Sequence, residues 1–304
     1  MRMIDPDLEL VASGSSGVSM PTFGEWEQVV LSEAYEQVDL VSAHAYYHEE
    51  DGDLGSFLAS ALDMDHFITS VSATADAVRA HKRQSKRINI SFDEWNVWYQ
   101  DRAESQPPSG DDWPVAPVLL EDRYNVADAV VVGNLLISLL RHTDRVAAAS
   151  LAQLVNVIAP IMTEPGGRSW KQTIFHPFAQ ASAAAAGDVL QLAIDVPTYE
   201  TAKFGDAPLV DAVATHDPES GAVALFAVNR STTQDARLEV DLRSVPGLRL
   251  TSATTLSNPD RTWQATVDDD TSVAPRANTT ATVRDGRLSL TVPPVSWNVV
   301  RLEA

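Results

Sequence analysis

Apolar residues in the first 160 positions alternate between short continuous runs and longer stretches at helical spacing. The continuous runs predict buried strands at 8–12, 38–47, 88–95 and 146–157. The stretches with a 3.6-residue period predict helices at 22–37, from 63 or 65 to the basic stretch 81–87, and at 121–142. Thr22 and Glu25 have the spacing of a capping box for the first helix, and Asp63 or Asp65 can cap the second. Apolar strands that alternate with helices are typical of parallel βα units.

The pattern changes after the small-residue tract 181–187. From there to residue 304, short runs alternate between apolar and polar positions, and turn residues such as Asp285 and Gly286 separate them. These runs lie at 189–194, 209–214, 222–229, 236–242, 248–256, 288–292 and 296–302. Short strands at this spacing predict an antiparallel β-sandwich. The sequence therefore predicts two domains, with a boundary between residues 187 and 188.

The amino-acid composition argues against several kinds of partner and bound group. The 304 residues include 42 acidic and 22 basic residues, and the net charge of −20 argues against nucleic acid or an anionic membrane as a partner. The chain has no cysteine, which excludes disulfides and thiolate metal sites. No apolar run approaches the length of a membrane span and no signal-peptide pattern follows Met1, so we expect a cytoplasmic protein. The acidic runs 49–51 and 268–270 lack the spacing of a calcium loop, so we expect no metal there.

The third predicted strand ends in a carboxylate beside aromatic residues. Ile88, Ile90 and Phe92 share one side of this strand, and Glu94 follows on the same side where the apolar run ends. Asp93 is expected on the opposite side, so we do not expect the two carboxylates to act as a pair. A glycosidase nucleophile needs a rigidly held carboxylate, and aromatic faces beside it pack against the sugar. The alternative is a solvated glutamate at a strand end beside an aromatic core cluster.

Five segments, in order along the chain, resemble a known family: SGSSGVSMPTF at 13–23, HAYY at 44–47, LDMDHF at 62–67, SFDEWNVWY at 91–99 and AQLVNVIAPIMT at 152–163. They are similar to segments of the family 51 glycoside hydrolases, whose typical members are α-L-arabinofuranosidases. The resemblance implies that residues 1–187 are the C-terminal half of a (β/α)8 TIM barrel, strands five to eight. It also implies that residues 188–304 form a jelly-roll-like β-sandwich, and that residues 1–10 are the tail of the helix after strand four. Such barrels carry their chemistry at the C-terminal ends of the strands.

The resemblance assigns a role to each candidate site residue. Glu94 matches the catalytic nucleophile, and Tyr46 matches a residue whose hydroxyl bonds that carboxylate. His44, which shares one side of its strand with Tyr46 under a two-residue period, matches a residue of the sugar site. Trp98 matches the pocket wall, and Gln153 matches a residue that bonds the sugar near the nucleophile. The alternative for His44 and Tyr46 is a core position satisfied by neighbouring residues.

A retaining glycosidase also needs an acid/base carboxyl. In the family this is a glutamate that follows an asparagine at the end of strand four, and the sequence contains no Asn-Glu pair. The chain therefore resembles the C-terminal portion of an enzyme that releases terminal non-reducing α-L-arabinofuranosyl residues from arabinan or arabinoxylan oligosaccharides, without metal or other cofactor. The family's hexamers imply a homo-oligomer. Alternatives are a xylosidase or endoglucanase specificity on the same scaffold, or a non-hydrolytic carbohydrate-binding fragment.

Overall fold

The computed structural model describes residues 1–102, 106–111, 113–115 and 117–304, and these residues divide into two units. The first unit is formed by Met1–Tyr47, Leu62–Asn96 and His142–Ala152. The second is formed by His48–Ala61, Val97–Arg141 and Gln153–Ala304. The long connection predicted at 100–120 includes residues 103–105, 112 and 116, which lie outside the described residues.

Strands predominate among the elements, and the helices are few. In chain order, the elements up to residue 151 are β1 (Val11–Ala12), α1 (Glu25–Ala34), β2 (Leu40–Tyr47), α2 (Leu54–Leu58), α3 (Ala61–Lys82), β3 (Asn89–Val97), α4 (Val126–Arg141) and β4 (Val146–Leu151). The elements that follow are β5 (Ile161–Thr163), β6 (Ser169–Lys171), α5 (Phe175–Ala184), β7 (Asp188–Leu190), β8 (Thr198–Thr201), β9 (Gly205–Pro208), β10 (Val210–His216), β11 (Val223–Asn229), β12 (Ala236–Asp241), β13 (Arg249–Leu256), β14 (Arg276–Ala277), β15 (Thr282–Arg284), β16 (Arg287–Val292) and β17 (Ser296–Glu303).

The first unit contains a sheet with the strand order β1-β2-β3-β4. Strands β1 and β2 run parallel, and so do β3 and β4, as the continuous apolar runs predicted. The ring of Phe67 on α3 lies 5.3 Å from the ring of Phe23 and 5.7 Å from the ring of Phe92, both edge to face. Phe67 and Phe92 are fully buried, so these contacts hold α3 against β3.

The N-terminal part of the chain differs from the prediction. Residues 1–10 form turns and irregular chain, so the expected helix tail there was wrong. Helix α1 begins at Glu25 with Gly24 as its N-cap residue, so the predicted capping box of Thr22 and Glu25 was wrong. The Gly24 N–H donates to Glu27 Oε2 at 2.8 Å, which satisfies a backbone group that the helix leaves unpaired.

Strand β3 is irregular where the sequence predicts the site. Phe92 pairs with Ala149 and Trp95 pairs with Leu151, so β3 advances three residues while β4 advances two. A bulge of this kind breaks the two-residue alternation of side chains. Strand β4 then ends at Leu151, and the predicted extension of this strand to residue 157 was wrong.

The second unit contains a six-stranded sheet with the order β14-β13-β17-β11-β10-β7 and a three-stranded sheet with the order β12-β16-β15. Neighbouring strands in both sheets are antiparallel. Buried apolar residues of the two sheets form one cluster, which includes Leu225 of β11, Val300 of β17 and Leu288 of β16. The seven strands predicted after residue 188 are present with shifted ends. The short strands β14 and β15 and the hairpins β5–β6 and β8–β9 were not predicted.

Helix α4 packs on the six-stranded sheet and is buried along nearly its whole length. The ring of Trp297 stacks on the ring of Phe226, with 5.8 Å between centroids. Gly133 of α4 faces Trp297 so closely that a Cβ atom would lie 2.4 Å from the indole. Glycine is therefore used here for close approach of the helix to the sheet. No helix in the described part of the chain combines the length and apolar composition that crossing a membrane requires.

A buried polar network joins α4 to the six-stranded sheet. Arg230, which is 1% exposed, donates from Nη2 to Asp211 Oδ2 at 3.0 Å and from Nε to Asn134 Oδ1 at 2.9 Å. Asn134 of α4 donates from Nδ2 to the same Asp211 oxygen at 2.8 Å, and Arg141 donates to the other Asp211 oxygen. Because each buried charge has an opposite charge and hydrogen-bond partners, the network avoids an unpaired buried ion.

Candidate active site

Two strands of the first unit bring the predicted nucleophile and its hydrogen-bond partner together. Tyr46 of β2 donates its hydroxyl hydrogen to Glu94 Oε2 of β3 at 3.0 Å. Ala43 and Ala45 are buried on one side of β2, so the alternation along the strand places Tyr46 on the other side. The hydrogen bond expected between Tyr46 and Glu94 is therefore present.

His44 lies between two carboxylates. Its Nε2 atom is 2.9 Å from Asp93 Oδ1, and its Nδ1 atom is 3.7 Å from Glu94 Oε2. The expectation that Asp93 and Glu94 point to opposite sides of β3 was wrong, because both carboxylates lie beside the same imidazole. The bulge between Phe92 and Trp95 is the physical reason, since it allows two consecutive side chains to reach one neighbour.

The surroundings of Tyr46 keep its hydroxyl protonated. Burial raises the pKa of the Tyr46 phenol above its usual value, and the hydrogen bond to Glu94 and the charge of that carboxylate raise it further. Tyr46 is therefore a donor to Glu94 throughout the physiological pH range. The Glu94 side chain is 50% exposed, which leaves it accessible to a substrate. A hydrogen bond of this type holds the carboxylate in one orientation.

The loop after β1 packs closely against β2. A Cβ atom at Gly14 would lie 1.9 Å from the carbonyl oxygen of Ser42, so this approach of two backbones requires glycine. Ser15 donates its N–H to Glu27 Oε1 at 2.7 Å, and the other Glu27 oxygen accepts the Gly24 N–H. One buried carboxylate thus fixes both the loop and the start of α1. Sequence reasoning missed Glu27, because glycine at the N-cap lacks the side-chain oxygen of a capping-box signature.

The two remaining candidates, Trp98 and Gln153, belong to the second unit. Trp98 is half-buried and Gln153 is exposed, and the Gln153 N–H donates to the Ile158 carbonyl oxygen at 3.1 Å. The roles of both residues toward a sugar stay predictions, as do the roles assigned to the site residues of the first unit. Within the described ranges, no group of three or more His, Asp or Glu side chains could hold a metal ion.

Residues 93–96, with the sequence DEWN, form the DEWN segment, and hydrogen bonds of Tyr99 fix the chain that follows it within the second unit. Its N–H donates to Asp122 Oδ2 at 2.7 Å, and its hydroxyl donates to Asp128 Oδ1 at 2.7 Å. The other oxygen of Asp128, a fully buried residue of α4, accepts the Asn125 N–H at 2.7 Å. Burial raises the pKa of the Asp128 carboxyl to about 7, although the hydrogen bonds from Asn125 and Tyr99 act in the opposite direction. Sequence reasoning identified neither acidic residue, because nothing in their spacing indicates burial.

Known proteins resemble this chain over nearly its whole length. A family model described as the α-L-arabinofuranosidase C-terminal domain matches residues 93–296. An intracellular exo-α-(1→5)-L-arabinofuranosidase of Streptomyces lividans is 53% identical over 301 residues, which cover 99% of this chain and 45% of that protein. An exo-α-(1→6)-L-arabinofuranosidase of Bifidobacterium longum is 48% identical over 312 residues, which cover 100% of this chain and 60% of that protein.

A solved structure shows the same similarity. The structure of a family 51 α-L-arabinofuranosidase from Bifidobacterium longum matches with a TM-score of 0.93 and 43% identity, covering 100% of this chain and 61% of that one. The chain thus spans 45% to 60% of the length of these curated relatives. The match of the family model and these identities show that the chain belongs to the α-L-arabinofuranosidase C-terminal domain family, among the family 51 glycoside hydrolases.

Proposed function

We propose that this chain supplies the nucleophile of a retaining α-L-arabinofuranosidase, and that Glu94 is that nucleophile. The observation that carries the proposal is the 3.0 Å hydrogen bond from the Tyr46 hydroxyl to Glu94 Oε2, on a carboxylate that is half exposed. In the first step, a Glu94 oxygen forms a bond to the anomeric carbon while the glycosidic carbon–oxygen bond breaks. Water then cleaves the glycosyl-enzyme ester, which releases arabinose and restores the carboxylate.

The hydrogen bond from Tyr46 distinguishes the two oxygens of the Glu94 carboxylate. Tyr46 engages Oε2, so we assign the attack on the sugar to Oε1. The neutral phenol of Tyr46 donates to Oε2 and orients the carboxylate, and its hydrogen bond does not occupy the lone pairs of Oε1. We further propose for His44, and separately for Trp98 and Gln153 of the second unit, the contacts with a sugar that the family resemblance implies for each residue.

A second carboxyl must protonate the leaving group of a natural glycoside. The sequence contains no Asn-Glu pair of the kind that carries this carboxyl in the family. We therefore expect the chain alone to react with activated glycosides, which need no protonation, and to act far more slowly on arabinan or arabinoxylan oligosaccharides. A complete enzyme with both carboxyls would release terminal arabinofuranosyl residues from them.

We also propose the finer architecture that the resemblance implies. The sheet β1-β2-β3-β4 would be strands five to eight of a (β/α)8 barrel, and the antiparallel sheets would form a jelly-roll-like sandwich. The parallel pairing of β1 with β2 and of β3 with β4 supports the first proposal. The apolar cluster shared by the two antiparallel sheets supports the second. The division of the chain between residues 187 and 188 stays a prediction.

The names of the relatives guide the proposed substrate. They are described as exo-acting on (1→5) and on (1→6) linkages at similar identity to this chain, so overall identity does not choose a linkage. We propose a glycan with terminal α-L-arabinofuranosyl groups as substrate. We also propose an intracellular location, after the name of the Streptomyces lividans protein, and assembly into a homo-oligomer.

Mass spectrometry after incubation with a mechanism-based arabinofuranosyl inactivator tests the proposal. We expect one arabinofuranosyl adduct in the peptide that contains Glu94, and none in the Glu94→Gln variant. The same reagents with xylosyl and glucosyl groups test the alternative specificities. An adduct on another residue, or no adduct on the folded chain, would overturn the assignment of Glu94 in this polypeptide.

A further inference from the structure

We propose that Asp93 is a positioning residue that fixes the tautomer and the orientation of His44 beside Glu94. The proposal rests on the proposed function of Glu94, because it concerns the surroundings of that carboxylate. It starts from a contact that the alternation of β3 did not predict, the 2.9 Å approach of His44 Nε2 to Asp93 Oδ1.

An ionised carboxylate only accepts hydrogen bonds, so the hydrogen shared by this pair lies on Nε2 of His44. A neutral imidazole carries one ring hydrogen, and Nδ1 then presents a lone pair toward Glu94 Oε2 at 3.7 Å. The His44 and Asp93 side chains are only 27% and 34% exposed, which limits the competition of water for their hydrogen bond. Asp93 therefore determines which edge of the ring faces the proposed nucleophile.

The alternative tautomer would change the hydrogen bonding of Glu94. With its hydrogen on Nδ1, the ring would point an N–H toward Glu94 Oε2 at 3.7 Å, and a ring shift of roughly 0.5 Å would let it donate to this oxygen, which already accepts the Tyr46 hydroxyl. A second donor on the same oxygen would stabilise the charge of the free carboxylate and make it a weaker nucleophile. By holding the hydrogen on Nε2, Asp93 leaves Tyr46 as the neutral donor to Oε2.

The bulge in β3 makes this arrangement possible. Regular alternation would send Asp93 and Glu94 to opposite sides of the sheet. The extra residue between Phe92 and Trp95 instead brings both carboxylates to His44. Bulges that re-aim a side chain occur often next to active sites, and this one has an identifiable consequence at the proposed nucleophile.

Nitrogen-15 NMR of the histidine rings in the full chain tests the tautomer directly. The shifts of Nδ1 and Nε2 in a neutral imidazole report which nitrogen carries the hydrogen, and a His44→Gln variant identifies the signals of His44. We expect the hydrogen on Nε2 in the unmodified chain. We expect Asp93→Asn, whose amide can also donate, to shift His44 toward the Nδ1–H form, because a wrong tautomer is the known effect of such a substitution.

The chain offers a matched control in the same unit. His142 Nε2 lies 3.1 Å from Asp65 Oδ1, and these side chains are 22% and 23% exposed. Asp65→Asn should change the signals of His142 and leave those of His44 unaltered, and Asp93→Asn should do the reverse. A His44 hydrogen on Nδ1 in the unmodified chain, or identical His44 signals in Asp93→Asn, would overturn the proposal.

The rate of adduct formation links the tautomer to reactivity. We expect Asp93→Asn to slow arabinofuranosyl labelling of Glu94 by roughly 10- to 100-fold, the effect of a slightly misplaced reacting group. The two proposals fail in distinguishable ways. If the unmodified chain forms no adduct, the assignment of Glu94 fails while the NMR result still decides the role of Asp93. If the adduct forms equally fast in Asp93→Asn, the positioning role fails while the nucleophile stands.

Discussion

Tyr46 donates its phenolic hydrogen to Glu94 Oε2 across neighbouring strands at 3.0 Å, and the raised pKa of the phenol makes this a bond between a neutral donor and a carboxylate. Hydrogen bonds to charged groups contribute about 1.5–3 kcal/mol. This value sets the scale of the effect expected when the hydroxyl is removed.

Tyr46→Phe keeps the ring and removes only the donor. We expect arabinofuranosyl labelling of Glu94 to slow by up to roughly 10- to 150-fold, because the carboxylate loses the donor that orients it and this loss outweighs the gain in nucleophilicity. The neighbouring residue supplies the control, because the Tyr47 hydroxyl donates to Asp63 of α3 at 3.1 Å and does not contact Glu94 through a described hydrogen bond. Tyr47→Phe should label at the rate of the unmodified chain. Equal rates for both variants would contradict the role of Tyr46.

The buried Asp128 should give the protein a measurable pH dependence of stability. Its pKa of about 7 in the folded chain exceeds the unfolded value of about 3.9, so the folded state binds the proton more tightly. The stability contributed by this proton is present below pH 4 and is lost as the pH rises to about 7, with a limit of about 4 kcal/mol. Burial is the main cause, because it disfavours the charged carboxylate.

Urea unfolding of the unmodified chain and of Asp128→Asn between pH 4.5 and 8 would measure this contribution. The asparagine is neutral at every pH, so the difference in unfolding free energy isolates Asp128. We expect the advantage of the unmodified chain to shrink as the pH rises and to level off above about pH 7. A difference that grows with pH, or does not change, would show that Asp128 is charged in the folded protein at neutral pH.

The contact between Gly133 and Trp297 predicts a penalty for the smallest possible side chain. Gly133→Ala puts a methyl group 2.4 Å from the indole, and such overpacking costs about 1–3 kcal/mol. Gly55 of α2 is the matched control, because a Cβ atom there would meet its nearest neighbour at an ordinary 3.5 Å. Gly55→Ala should be neutral or stabilising by up to about 1 kcal/mol, since alanine favours a helix. Similar unfolding midpoints for the two variants would contradict the close approach.

Breaking the buried Arg230 network should destabilise the second unit. Arg230→Met removes the hydrogen bonds to Asp211 and Asn134 and leaves Arg141 as the remaining cation at Asp211, so we expect a cost of about 3 kcal/mol, the lower end for a broken buried ion pair. The exposed pair Arg243 and Asp241 offers the comparison, since Arg243→Met removes a similar ion pair at the surface. That variant should unfold at the same denaturant concentration as the unmodified chain. Equal destabilisation by both substitutions would contradict a stabilising role of the buried network.

The linear pattern of residues predicted a large part of this protein. Continuous apolar runs identified β2 and β3, and the period of β2 placed His44 and Tyr46 on one side. Short alternating runs identified seven of the nine strands of the two antiparallel sheets and missed β14 and β15. These predictions succeeded because strand formation and side-chain alternation depend on neighbouring residues. The DEWN segment also indicated Glu94 as a candidate nucleophile, and the expected hydrogen bond between Glu94 and Tyr46 is present in the structure.

Contacts between distant segments decided the rest. Alternation placed Asp93 away from Glu94, but the bulge arises from the pairing of β3 with β4, and it brings both carboxylates to His44. Arg230 and Asn134 are 96 positions apart, and no local pattern indicates that they share a buried network. The two-residue period of a strand determines the direction of its side chains only where the strand is regularly paired. The pairing of β3 with β4 therefore determined the arrangement of the two carboxylates, which the sequence of β3 alone did not predict.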